Sequence, residues 1–184
     1  MSIIELETPR LRLRGWTEQD KPAFFKMNSS TEVMRYFPSV LDKAQSDHLM
    51  SQIMARFDSQ GGWGLWAVEL KLTGELIGFV GLNIPRYLFP FSPCTEIGWR
   101  LRAEYWRQGY TTEAAQVVIK FAFEQLKLKE LVAFTAVSNT PSEAVMKKLG
   151  MHKDAEHFNH PALPEGHWLS EHVLYRLQNP EIES

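Results

Sequence analysis

The stretch Leu101-Arg-Ala-Glu-Tyr-Trp-Arg-Gln-Gly109-Tyr-Thr-Thr-Glu-Ala-Ala115 passes from a strand-like segment through a polar glycine turn straight into an apolar helix. Consecutive backbone N–H groups from Arg107 to Thr112 can converge in such a turn, and a helix beginning near Thr111 adds its free N–H groups and the positive end of its dipole. Gly109 lets an anion approach the backbone without a side chain in the way, and the hydroxyls of Thr111 and Thr112 can cap the helix or bond an anion's oxygens. The segment therefore reads as a cradle for a diphosphate-sized anion, although an ordinary capped helix start has the same outline.

Working outward, Arg10-Leu-Arg-Leu-Arg14 alternates with period two, as a strand with one buried face does, and its arginines occupy the other face. Residues about 17 to 29 and 43 to 60 read as helices, the first capped by Thr17, the second carrying Leu49, Ile53 and Phe57 on one face and ended by Gly61-Gly62. Trp63 to Leu70 and Glu75 to Ile84 read as a hairpin about Thr73-Gly74, with another strand at about 94 to 101. After the turn come a buried helix to about 126 with Ala114, Val118, Phe121, Ala122 and Leu126, and a central strand from Leu131 to Val137. A further helix lies between Pro141 and Gly150, and strands follow near 152 to 159 and 171 to 177. The order implies an α/β (α+β) fold with a mixed, mostly antiparallel sheet of six to seven strands flanked by about four helices.

With 184 residues, 44% of them hydrophobic, the chain suits one sizeable core, so a single domain over 1–184, with its core at about 7–177, is expected. A net charge of −2 argues against nucleic acid as a partner, and the single Cys94 excludes an internal disulfide. Neither a charged-then-apolar leader at Met1-Ser-Ile-Ile-Glu5 nor an apolar run near twenty residues is present, so the cytoplasm is the expected compartment and a membrane is not an expected partner.

A second block, Ala136-Val-Ser-Asn139-Thr-Pro-Ser142-Glu-Ala-Val-Met146-Lys-Lys-Leu149-Gly150-Met151, follows the first. Together the two resemble the Gcn5-related N-acetyltransferase (GNAT) superfamily. The opening Glu7-Thr-Pro-Arg10-Leu-Arg-Leu-Arg14, the segment Glu96-Ile-Gly-Trp-Arg-Leu101 and the closing His172-Val-Leu-Tyr-Arg176 are similar to the branch that acetylates ribosomal-protein N-termini. The resemblance implies acetyl-CoA as acyl donor, its pyrophosphate on Arg107, Gln108, Gly109, Tyr110, Thr111 and Thr112, and its pantetheine and thioester along the backbone of Trp99, Arg100 and Leu101. Asn139 would bond the pantetheine amides. Two departures stand out: Arg107 replaces the first glycine of a frequent Trp-Gly-x-Gly-Tyr-Ala turn and Thr111 its alanine, and the tyrosine that many relatives use to protonate the leaving thiolate falls on Met146.

Acetyl transfer to a primary amine needs a neutral amine, donors for an oxyanion and a proton for the thiolate. Ser142, at the position that the ribosomal-protein branch is thought to use, is the candidate acid; the same hydroxyl equally suits a helix cap. Glu96 and His160 are candidate bases, with His157 a further option, because an imidazole of ordinary pKa suits an amine at neutral pH. Metal binding is not expected, since the histidine spacings match no metal-site pattern. The expected function is acyl-CoA-dependent N-acetyl transfer in a ternary complex, by a monomer or homodimer, to a protein N-terminus or a small-molecule amine; the alternative is a non-catalytic CoA-binding sensor or scaffold. Tyr87-Leu-Phe-Pro-Phe91, too apolar for a simple turn, suits an acceptor wall, a dimer contact or packing onto the core.

Overall fold

The computed structural model describes residues 2–182. The described residues form nine strands and four α-helices, an α/β arrangement built on a mixed, mostly antiparallel open sheet. Three strands of two residues each raise the count above the six or seven expected. Packing divides the chain into two compact units, Met1–Leu82 with Gly98–Val118, and Asn83–Ile97 with Ile119–Ser184.

In the first unit, β1 (Leu6–Glu7), β2 (Leu11–Arg14), β3 (Leu65–Leu70) and β4 (Leu76–Asn83, through Leu82) are joined by antiparallel pairing. The period-two alternation of β2 is realised: Leu11 and Leu13 are fully buried while Arg12 faces out. Gly74, at φ 73°, turns β3 into β4 as expected from Thr73-Gly74. Gly78 permits close approach of the next strand, β5 (Glu96–Leu101), because a Cβ there would lie 2.2 Å from Arg100 O.

The helix expected from residue 17 begins instead as a 3-10 turn, Glu18–Asp20, and becomes α1 only at Lys21–Asn28. Pro22 lacks the N–H that would bond Glu18 O, so the α-helical ladder starts after it. Helix α2 (Lys43–Ser59) opens with a capping box, in which Asp42 Oδ1 accepts from Gln45 N (2.8 Å) and Gln45 Oε1 from Asp42 N (2.9 Å). Its buried face is Ser46, Met50, Ile53 and Phe57, with Leu49 turned partly out of the core.

In the second unit, β6 (Glu130–Ala136) and β9 (Glu171–Gln178) pair antiparallel along β6's whole length, from Glu130↔Gln178 to Ala136↔His172. The strand expected at 152 to 159 is two short ones, β7 (His152–Lys153) and β8 (Phe158–Asn159), both pairing with β9. Between them Asp154 N still donates to Leu174 O of β9 at 2.8 Å, and the Asp154 carboxylate accepts from Arg176 Nε at 3.0 Å. The start of β5 joins β6 in parallel at one position, Glu96↔Val132. Helix α3 (Tyr110–Glu124) runs through both units and buries Ala114, Ala115, Val118, Phe121 and Ala122; it stops before Leu126. Helix α4 (Thr140–Lys148) has Pro141 in its first turn and Gly150, at φ 78°, after its end.

Candidate functional site

The turn from Arg107 to Thr112 lies in the first unit. Arg107 (φ 60°) and Gly109 (φ 79°) both adopt the left-handed conformation, the backbone habit that gathers successive N–H groups into an anion-binding concavity. None of the N–H groups from Arg107 to Thr112 donates to a protein acceptor among the described residues; the first to do so is Glu113, to Gly109 O at 3.0 Å. Free backbone donors gathered at a helix N-terminus suit an anion such as a phosphate. The glycine common at position 107 in similar turns has its explanation in this φ, which arginine adopts here at a cost of about 1 kcal/mol.

The turn is held by the N-terminal strand region, which sequence reading did not connect to it. Thr8 Oγ1 donates to Glu113 Oε1 (2.6 Å), Arg10 N to the same oxygen (3.0 Å), Arg10 Nε to Glu113 Oε2 (2.7 Å) and Arg10 Nη1 to Gln108 O (3.1 Å). The Arg10 guanidinium also stacks 4.3 Å from the Tyr110 ring centroid. Burial pushes the Glu113 carboxyl up, but the hydrogen bonds from Thr8 and Arg10 outweigh it and hold the group below the usual range. The sequence signal was the opening block itself: Arg10, before the buried alternation of Leu11 and Leu13, is held by a residue in the first turn of α3. Within this unit the edge of Gly98–Leu101 away from β4 carries no strand among the described residues. Trp106 Nε1 bonds Leu101 O at 2.9 Å, tying the turn to the end of β5. The Arg100 side chain runs toward α1, donating from Nη1 to Asn28 Oδ1 at 2.7 Å.

The second unit holds the candidate catalytic side chains. Asn139 caps α4 through Oδ1, which accepts from Ser142 N (3.3 Å), while its Nδ2 donates to Thr135 Oγ1 (2.9 Å). Ser142 is therefore not the cap, and its hydroxyl bonds nothing among the described residues. Met146 is buried in the core. Glu96 accepts from Asn83 Nδ2 at 3.1 Å. Burial, then the Glu96 charge, raises the Cys94 thiol, which keeps it protonated and a poor nucleophile.

His160 departs from the expected ordinary imidazole. Burial and then the neighbouring His172, whose ring centroid is 5.0 Å away, lower its pKa to about 4. Its Nδ1 accepts from Ala162 N (3.1 Å), so the neutral ring carries its proton on Nε2. It sits in an aromatic cluster with Phe89 (5.4 Å), Tyr87 (5.5 Å) and Phe134 (6.1 Å). Of the three readings of Tyr87 to Phe91, packing onto the core describes Phe89, which is 5% exposed. His157 instead pairs with Glu171 on the surface at 2.6 Å.

Residues 10–152 match the acetyltransferase (GNAT) domain. The chain belongs to the GNAT acetyltransferase family. It is 31% identical to the uncharacterized N-acetyltransferase YoaA of Bacillus subtilis (strain 168) over 81% of this chain and 83% of that one. An acetyltransferase from Agrobacterium tumefaciens str. C58 has the same fold (TM-score 0.77, 30% identity, covering 97% of this chain and 96% of that one). The fold also matches a ribosomal L7/L12 α-N-protein acetyltransferase solved in complex with coenzyme A (TM-score 0.75, 15% identity, 95% and 98% covered). The protein is an acetyl-CoA-dependent N-acetyltransferase, and its family binds acetyl-CoA together with an acceptor. Among the described residues no helix is long and apolar enough to cross a membrane, and no group of three or more His, Cys, Asp or Glu gathers as metal ligands.

Proposed function

We propose that this chain, acting as a single catalytic domain, moves the acetyl group of acetyl-CoA directly to a primary amine within a ternary complex. The observation that carries this reading is the run of six unengaged N–H groups from Arg107 to Thr112, which would bind the donor's pyrophosphate. The backbone of Trp99, Arg100 and Leu101 would take the pantetheine amides and the thioester carbonyl. A backbone donor aimed at the developing oxyanion supplies transition-state stabilisation of about 3 kcal/mol, judged from side-chain donors in the same role.

In the reaction the amine nitrogen attacks the thioester carbon, the C–S bond breaks, and the departing sulfur receives a proton. Ser142, whose hydroxyl bonds nothing among the described residues, is the candidate donor of that proton, and Asn139, which caps the first turn of α4, would hold it in position. Glu96 is the candidate to remove the amine's proton, directly or through a water. His160, neutral down to about pH 4 and with Nδ1 occupied, serves as a wall rather than a base. The protonated Cys94 agrees with transfer without an acyl-enzyme.

Calorimetry of CoA binding tests the donor site. An Arg107→Ala/Gly109→Val double variant should lose at least about tenfold in affinity while keeping its thermal transition, because Val at φ 79° distorts the cradle. Unchanged affinity in a folded variant would overturn the assignment.

A further inference from the structure

Arg100 is a partly buried cation without an anion among the described residues. Its Nη1 bonds the neutral Asn28 Oδ1, but Nε, which is buried, and Nη2 have no partner among the described residues, and no carboxylate pairs with it. Its guanidinium lies 4.3 Å from the Phe37 ring centroid and 5.2 Å from that of Phe79. Burial alone lowers its pKa to about 10, so the charge persists at neutral pH. An unneutralised charge out of water is costly, and proteins tolerate it where a counter-charge arrives from outside.

Arg100 forms part of the wall of a pocket of about 300 Å³, between the loop that follows α1 and the first turns of α2. That volume is at the lower end of small-ligand sites. Met34, Phe37, Leu41 and Leu49 give it an apolar side. His48 and Gln52, bonded to each other at 2.7 Å, lie at its polar side. No lining residue is Asp or Glu. Leu49, which helical periodicity would place in the core, faces this pocket instead. The arginine is held in place from behind: Asn28 and Ser46 are both fully buried, Asn28 Nδ2 donates to Ser46 Oγ at 3.1 Å, and Asn28 O accepts from Leu41 N at 2.9 Å.

We infer that this pocket is an acceptor subsite for a small amine that carries a carboxylate, with the carboxylate on Arg100 and an apolar body against Phe37, Leu41 and Leu49. The inference rests on the acetyl-transfer reading above. With Nη1 on Asn28 and Nε sealed from solvent, Nη2 is the donor left to a carboxylate, through a charge-assisted bond. A polycationic acceptor is disfavoured by the same charge.

The test uses the full chain and matched probes: L-leucine, L-methionine and L-phenylalanine, the amide of each, and the amine of each lacking the carboxyl group. Thiol release from acetyl-CoA and calorimetric binding to the CoA-loaded protein are both read. The acids should bind and react with KM at least about tenfold below their amides. Arg100→Gln should reduce that preference to within about twofold, and Arg100→Lys should retain part of it. If Arg100→Gln does not fold, Leu49→Trp fills the pocket while keeping the bond to Asn28, and it should abolish binding of the acids while CoA still binds. Equal treatment of acids and amides, absence of binding by every acid, a preference that survives Arg100→Gln, or turnover confined to peptide N-termini regardless of charge would each overturn the inference. Failure of wild-type protein to bind CoA would instead strike at the donor site.

Discussion

Two arginines of the first unit, Arg14 and Arg100, lie in strands, are largely withdrawn from water and meet opposite fates. Arg14 is surrounded by carboxylate: Nη1 and Nη2 each bond Asp20 at 2.9 Å, and Nε bonds Glu69 at 2.6 Å. These partners, with the Asp20 bond leading, drive its pKa upward. Arg100 has one neutral amide and two aromatic faces, and burial drives its pKa down. A cation closed into an ion pair holds the fold together; one left open is a receptor in waiting.

The largest expected effect falls on the closed site. Arg14→Met leaves Asp20, 6% exposed at its side chain, without its cation and should cost about 3 kcal/mol in urea denaturation at pH 7. A cost near zero would remove the contrast. The pH dependence sharpens it. Burial would raise Asp20, yet hydrogen bonds from Arg14 and Thr17 outweigh it and hold the carboxyl below 3.8. A lowered folded pKa means stability that is complete above about pH 4 and lost as pH falls through the folded value. In Arg14→Met the carboxyl rises instead, so the variant's penalty should shrink between pH 7 and pH 4; a penalty constant over that range would show that Asp20 does not carry it.

Arg107→Gly comes next. Relief of the left-handed backbone should stabilise the protein by about 1 kcal/mol, with CoA affinity measured alongside to show whether the lost side chain touched the donor. The smallest change is expected at the open site. Arg100→Met removes an uncompensated charge but strands Asn28 Oδ1, and the two effects of about 1 kcal/mol each nearly cancel. Stability within about 1 kcal/mol of wild type supports a functional arginine, whereas a loss as large as that of Arg14→Met would make Arg100 structural.

Much of the frame was legible locally. The alternation of Leu11 and Leu13, the Thr73-Gly74 turn, the glycine turn before α3 and the Pro141/Gly150 punctuation of α4 each act through neighbours a few residues away, and each stands where expected. The misread elements were the start of α1, which Pro22 delays, and the strand near 152 to 159, which is two short segments that both pair with β9. Asn139 took the capping role that Ser142 was also suited to fill.

The sequence by itself determined the family, the strand–turn–helix cradle and the residues that form it, because backbone conformation and helix termini answer to short-range sterics and hydrogen bonding. Only the tertiary structure decided which arginine is spent and which is available, and that His160 is held neutral. Arg14 meets Glu69 across 55 residues and Arg100 meets Asn28 across 72, and desolvation depends on everything packed around a charge, which no local pattern encodes.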